Sequence, residues 1–353
     1  MSTKTTDVWM KRLSEYRLPF KYDTSYAYGV GRIRALETRL LTRQEMARLV
    51  AAEGVEALYR LLAETDYGQT LTPAADPDRF EELLNAHLAS ALDLAVRLSK
   101  DPEVTGLLKS RYDYDNLKVL LKAKLLGQDL DHALSNLGQV ELGALARAVE
   151  GEGLGDIPGQ LRRAIRAVEE LPLEGIDPQE LDVIVDREMF SFLLSVLKRS
   201  RIPFLWGWLE REIDLVNIRT FLRLRWTQQR SELLRQGLCE GGSLAVEFYR
   251  ALQDEPLEGL AQRFGSTRYA RLVDEGISAL QSRGSFGRLE QLCDGFLISY
   301  LRRARYATFG VEPLVAYVLT VEFEIKAVRA VVVSKWNRIP PESIRERLPS
   351  VYV

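Results

Sequence analysis

The chain has 353 residues, of which 46% are hydrophobic and 28% charged, and its 48 lysines and arginines nearly balance its 50 aspartates and glutamates. This length predicts more than one hydrophobic core, since single cores stop growing at about 250 residues. The balanced composition excludes a largely disordered chain and a nucleic-acid-binding surface of strong positive charge.

The chain starts with a polar and charged stretch, 1–22, that lacks the apolar run of a signal peptide. The most apolar stretch, 309–333, is interrupted by charged side chains, so we expect no transmembrane segment. Cys239 and Cys293 have no CxxC spacing and no neighbouring histidine, which favours neither a zinc site nor a disulfide framework. We therefore expect a cytoplasmic protein.

Apolar residues recur at three- and four-residue spacing along most of the chain, which predicts amphipathic helices. Alternating strand patterns bounded by Asn-Gly or Asp-Gly turns are missing, and the β-branched run 331–333 lies among Ala, Glu, Lys and Arg. We therefore predict an all-α fold. The predicted breaks between helices are 67–78, 151–159, 171–178, 201–203, 239–243 and 282–287.

Three segments of the chain, 80–92, 181–193 and 289–301, align with one another without gaps. Each starts with an apolar residue followed by an acid, has Asn or Asp five positions after the first residue, and has Ser ten positions after it. A long and nearly fixed period is the signature of a repeated architecture.

A second segment repeats downstream of the first, at 113–124 and 214–225, with a looser third copy at 324–335. The two segments keep a nearly constant separation in all three copies, so we predict one helical unit in triplicate. An N-terminal segment, 1–36, leads into the first unit, 37–128; the second is 129–230, and the third, 231–353, includes the C-terminal tail.

Asp113, Asp214 and Glu324 open the second segment of their copies. We predict that they lie in the first turn of a helix, where an acid meets the positive end of the helix dipole. Leu117 and Ile218, with the apolar residues after them, should form the buried stripe.

Basic residues occupy another face of the same predicted helices, where positions four apart are neighbours. One interpretation is a solvated face that complements the helix dipole, and the other is a polar lining that contacts a partner. The candidate partner-contact residues are Lys118, Lys122, Arg219, Arg223 and Arg329.

The sequence lacks the patterns that common catalytic sites need. No GxxxxGK[ST] loop occurs, and Gly29 and Gly31 are more typical of the flexible start of a helix than of a dinucleotide site. His87 and His132 lie in unrelated positions, and we interpret His87 as structural. The acids around Asp113 are too sparse to hold magnesium. We therefore predict no catalytic residue, no cofactor, no metal and no nucleic-acid partner.

The C-terminal stretches 321–329 and 335–348 resemble a pattern, E-x-K-N-I-R followed by G-K-x-N-G-I-P-x-E-x-I-R-E-R-L, of the C subunit family of the V/A-type rotary ATPases. Its counterpart in the vacuolar enzyme is the d subunit. Segments 26–35 and 61–68 are also similar, and the resemblance covers residues 24–350. Ala327 departs from the family, which more often has Asn there.

The resemblance implies a non-catalytic funnel with pseudo-threefold symmetry and a central cavity, monomeric when isolated, on the cytoplasmic face of the membrane. The central shaft, made of the D and F subunits, would plug into the funnel, and the funnel would sit on the proteolipid ring. Rotation would then couple proton or sodium transport to ATP hydrolysis or synthesis. Under this interpretation Lys118, Arg219 and Arg329 line the cavity. The alternative is a generic helical scaffold, for which a period of about 100 residues is long.

Overall fold

The computed structural model describes residues 20, 22–69, 77–170, 178–227 and 237–349. Helices account for its regular structure, and the described residues contain no strand, so the predicted all-α class is confirmed. The helices are α1 Ala27–Glu37, α2 Arg43–Ala51, α3 Gly54–Ala63, α4 Pro77–Leu98, α5 Pro102–Leu126, α6 Leu142–Val149, α7 Gly159–Glu169, α8 Pro178–Ser200, α9 Pro203–Trp226, α10 Val246–Ala251, α11 Leu257–Arg263, α12 Ala270–Arg283, α13 Gly287–Leu301, α14 Glu312–Trp336 and α15 Pro341–Arg345.

The chain divides into two compact units. Among the described residues, the first unit is 101–255 and contains α5 to α10. The second unit combines 20–100 with 256–349 and contains α1 to α4 and α11 to α15. These units group helices by contact and not by sequence similarity, so the three repeated units, with the boundaries given above, stay a prediction.

The longest described helix of each predicted copy lies towards the end of that copy. These helices are α5 with 25 residues, α9 with 24 and α14 with 25. The β-branched run 331–333 lies inside α14, as the helical interpretation predicts. All three helices have a proline in their first turn, where its fixed φ suits a helix and its missing N–H is not needed.

The prediction that Asp113, Asp214 and Glu324 lie in first turns is wrong. Helices α5 and α9 begin at Pro102 and Pro203, and all three acids lie in helix interiors, buried from solvent. A buried carboxylate needs hydrogen-bond donors more than it needs a helix dipole, and these acids find such donors in other segments of the chain.

The long helices pack through their apolar faces. In the first unit α5 lies against α8, and in the second unit α14 lies against α4. The predicted stripe is buried, since Leu117 and Ile218 are fully inaccessible to solvent. The burial of these apolar faces is the main stabilising contribution to such a helix, because an isolated helix is marginal in water.

Two further predictions concern membrane insertion and His87. Within the ranges that the structure describes, no helix combines the length and the apolar character needed to cross a membrane. The imidazole of His87 stacks on the ring of Tyr67 with 4.5 Å between ring centroids. Burial lowers the pKa of His87 while Asp66 raises it, so the stacked ring is held neutral as a packing element.

Candidate functional site

The candidate partner-contact residues lie on the last long helix of each copy. Lys118 and Lys122 belong to α5, and Arg219 and Arg223 belong to α9, all in the first compact unit. Arg329 lies on α14 in the second unit.

A groove of about 530 Å³ between α5, α8 and α9 contains three of these five residues. We call it the neutral groove, because three basic side chains and three carboxylates line it and their formal charges cancel. Arg219 is half-buried on α9 beside the lining residue Thr220, and it is not part of the lining. The charged lining residues are Lys118, Lys122, Arg223, Asp115, Asp182 and Asp186.

Lys118 is held by two of these carboxylates. Its Nζ lies 2.5 Å from Asp186 Oδ1 on α8 and 3.1 Å from Asp115 Oδ1 on α5. Burial opposes the charge of the ammonium, but the two carboxylates outweigh burial and raise the pKa of Lys118. Lys118 therefore stays charged and fastens α5 to α8.

Two more candidates make equivalent contacts between long helices. Lys122 Nζ lies 2.6 Å from Asp182 Oδ2 on α8. Arg329 Nε lies 2.9 Å from both carboxylate oxygens of Glu81 on α4. Glu81 and Asp182 occupy the same position of the repeat. The five residues stay a prediction as partner contacts, and the structure adds that three of them bind carboxylates of this chain.

The buried acid of α5 holds the segment that follows the helix. Asp113 Oδ1 accepts hydrogen bonds from the backbone N–H groups of Gln139, at 2.8 Å, and Val140, at 3.0 Å. One turn later, Asn116 donates to the carbonyl of Ser135 and accepts from its N–H, both at 2.8 Å. We call such a set of contacts a loop clamp.

A second loop clamp repeats this arrangement on α9. Asp214 accepts hydrogen bonds from the N–H and hydroxyl of Ser243, at 2.9 and 2.5 Å, and from the N–H of Leu244, at 3.0 Å. Asn217 bonds the N–H and the carbonyl of Cys239, at 2.7 and 2.8 Å. Thus the same acid and amide, three residues apart, hold the segment after each helix.

The third loop clamp, on α14, uses different chemistry. Glu324 Oε2 accepts a hydrogen bond from the N–H of Leu41 at 2.6 Å, and its Oε1 accepts one from the Tyr67 hydroxyl at 3.1 Å. Ala327 has no amide to offer where the other copies have Asn116 and Asn217. Burial raises the pKa of Glu324 to about 7, against the two hydrogen bonds, which lower it.

A glycine accompanies each of the first two loop clamps. A Cβ atom at Gly138 would collide with Asp113 Oδ1, and one at Gly242 would collide with Asp214 Oδ1. Glycine therefore lets the clamped backbone approach the carboxylate closely.

The loop clamps are the site residues that sequence reasoning missed, although a signal was present. Pro102, Pro203 and Pro313 each stand eleven positions before the clamp acid, as 113 minus 102, 214 minus 203 and 324 minus 313 show. Proline favours the first turn of a helix, so this spacing places all three acids three turns inside.

Comparison with known proteins identifies a family. Residues 29–347 match the family model of the ATP synthase (C/AC39) subunit. The chain is 27% identical over 320 residues to the C subunit of the V-type sodium ATPase of Enterococcus hirae, with 91% of this chain and 97% of that protein covered. It is also 25% identical to the C subunits of the A-type ATP synthases of Methanocaldococcus jannaschii, over 360 residues with 92% and 86% covered, and of Thermococcus kodakarensis, over 348 residues with 94% and 92% covered.

These matches confirm the resemblance that the repeated segments and the C-terminal motif indicate. The family model extends from the start of α1 to beyond α15, and so includes all three loop clamps. The chain belongs to the ATP synthase (C/AC39) subunit family.

Proposed function

We propose that this chain joins the central shaft of a V/A-type rotary ATPase, formed by the D and F subunits, to the membrane proteolipid ring on its cytoplasmic face. As a member of its family, the chain is a non-catalytic subunit of the ATPase complex. The three copies would surround a cavity that receives the shaft, and torque would pass between shaft and ring through the packed helices.

The order of the loop clamps is the observation that supports this proposal most. Asp113 at the end of the first copy holds the segment that begins the second copy, and Asp214 does the same between the second and third copies. Glu324 at the end of the third copy holds Leu41, which begins the first copy. The contacts thus follow a cyclic order, as a closed ring of three units around a socket requires and an open scaffold does not.

The ion pairs between long helices follow the same order. Lys118 and Lys122 join the first copy to α8 of the second, and Arg329 joins the third copy to α4 of the first. A coupling part must transmit torque without local yielding. The hydrogen bonds of the buried clamp acids suit this task, because breaking one leaves an unpaired buried group at a cost of about 1 to 3 kcal/mol.

Two binding measurements on the purified chain test the proposal. A tagged chain should retain a purified D–F complex on an affinity column, and it should sediment with membranes that contain the proteolipid ring. Membranes depleted of the ring are the control. A chain that retains neither the shaft complex nor the ring would overturn the proposal and favour a generic scaffold.

A separate variant tests whether the predicted lining residues contact the shaft. Arg219→Ala combined with Arg223→Ala removes two candidate charges while keeping the ion pairs of Lys118, Lys122 and Arg329, and it should weaken retention of the D–F complex. Arg60→Ala combined with Arg250→Ala is the matched control, since both residues are exposed and lie on other helices. Equal retention by both double variants would remove these two residues from the interface.

A further inference from the structure

A second groove, of about 870 Å³, lies within the second compact unit and differs from the neutral groove in its charge. The start of α2, the end of α12, the start of α13 and the region of α15 form its walls. We call it the arginine groove, because the described residues that line it include five arginines and a single carboxylate, that of Glu346. The arginines are Arg43, Arg283, Arg288, Arg345 and Arg347.

One of these arginines has a structural role. Arg288 Nη2 lies 2.6 Å from Glu275 Oε2, and its Nη1 donates to the side-chain oxygen of Gln291. The Gln291 amide in turn donates to the carbonyl of Leu348. Arg288 thus fixes the wall of the groove and the segment after α15.

Two other arginines have only weak partners. Arg283 lies 2.9 Å from Glu346, with both side chains about 60% exposed, and Arg345 lies 3.8 Å from Glu342. Exposed ion pairs of this kind contribute at most about 1 kcal/mol. A partner's carboxylate can therefore replace them at little cost.

The remaining two, Arg43 and Arg347, are exposed and form no ion pair with any residue that the structure describes. Three of the five arginines lie beside carboxylates of this chain, so the excess comes from Arg43 and Arg347 and amounts to two positive charges, in a chain whose net charge is −2. Such a local excess attracts anions and requires a partner if it is to be neutralised.

Several small residues also line the arginine groove, and they help to define its occupant. With no bulky side chain in the way, an extended backbone could lie close to this part of the wall. A single phosphate group would fill a small part of this volume, and the flat surface of a bilayer could not enter a concave cleft. The small lining residues are Ala279, Ser285, Gly287 and Ser343.

We propose that the arginine groove binds an acidic segment of a partner protein, whose carboxylates pair with Arg43 and Arg347. The guanidinium group suits this role, since its planar fork donates two parallel hydrogen bonds to a carboxylate. The proposal concerns the second compact unit alone and does not depend on the coupling role.

The test measures binding of a fluorescein-labelled hexaglutamate peptide to the full chain by fluorescence anisotropy at low salt. The wild-type chain should bind this peptide and not a hexaglutamine peptide, and added NaCl should weaken binding. Arg43→Gln combined with Arg347→Gln should reduce affinity at least about tenfold, which corresponds to about 1.4 kcal/mol.

Arg60→Gln combined with Arg250→Gln is the matched control, because it removes two exposed charges outside the groove and should change affinity less than about twofold. Thermal unfolding of each variant shows that it is folded. The proposal is overturned if the groove variant and the control bind the peptide equally well. It is also overturned if the groove arginines govern binding of inorganic phosphate or phosphatidylglycerol vesicles while the peptide does not bind.

Discussion

The first two loop clamps and the third solve the same packing problem with different side chains. On α5 and α9 an aspartate and an asparagine divide the task, one bonding successive N–H groups and the other both backbone groups of one residue. On α14 a glutamate and a tyrosine hydroxyl replace them. The position of the acid is thus common to all three copies, while the length of its side chain and the residues around it differ.

This comparison shows where the copies depend on polar contacts and where they do not. A buried amide that bonds both backbone groups of one residue leaves two groups unpaired when it is lost. Where Ala327 stands in its place, the chain has no such dependence, and the buried carboxylate of Glu324 bears the contact with Tyr67.

The largest expected effect is the loss of the second clamp acid. Asp214→Ala removes the acceptor for the N–H groups of Ser243 and Leu244, so the free energy of unfolding should fall by about 3 kcal/mol or more. Urea denaturation measures this change. Glu152→Ala is the control, since Glu152 is exposed, and it should stay within about 0.5 kcal/mol. A loss below about 1 kcal/mol for Asp214→Ala would contradict the clamp.

A smaller effect should follow from loss of the clamp amide. Asn217→Ala leaves the buried N–H and carbonyl of Cys239 without their partner, so the free energy of unfolding should fall by about 2 kcal/mol.

The reverse change, Ala327→Asn, should also destabilise the fold, because it buries an amide where the third copy has alanine. If Ala327→Asn proved stabilising, backbone groups near position 327 would be able to bond the new amide. The third copy would then not differ from the first two in the way described above.

The sequence predicted the helical class because that class depends on local patterns. Leu117 and Ile218 recur with the periodicity of a helix, and the apolar burial follows from that periodicity. The acids Asp113, Asp214 and Glu324 align with one another in the sequence, but a single acid looks the same at a helix start and in a helix interior.

The loop clamps were not predicted from the sequence, because the clamp side chains bond mainly to backbone groups. Asp113 bonds the N–H of Gln139, and every residue except proline has such a group, so no side-chain pattern marks the pair. The pairing of Lys118 with Asp186 was hidden in a different way. Both belong to repeated segments, but the sequence does not say which helices become neighbours.

The pH dependence of stability should separate the third clamp from the others. Burial raises the pKa of Glu324 from 4.5 to about 7, so the folded chain binds a proton that the unfolded chain releases between these values. The contribution of Glu324 to the free energy of unfolding is therefore fully present below about pH 4.5. It is lost as the pH rises through 7, by at most about 1.4 kcal/mol per pH unit.

Glu324→Gln should remove this part of the pH dependence. Urea denaturation of both proteins at about pH 5 and about pH 8 gives the comparison, and titration of other groups cancels in the difference between them. The wild type should lose more stability than the variant on going to the higher pH. An equal loss in both proteins would place the titrating group elsewhere.

The smallest expected effect concerns the ion pairs between long helices. Arg329→Met breaks a pair with Glu81 in which the two side chains are 38% and 42% exposed, so it should cost less than about 1 kcal/mol. Lys118→Met should cost more, because the Lys118 side chain is only 18% exposed and the change leaves Asp186 without its cation. Urea denaturation at low and high salt measures both, and only the Arg329 variant should converge on the wild type as salt screens the exposed pair. If the two variants lost the same free energy of unfolding, burial would not distinguish these contacts. The ion pair of Lys118 in the neutral groove would then stabilise the fold no more than the exposed pair of Arg329.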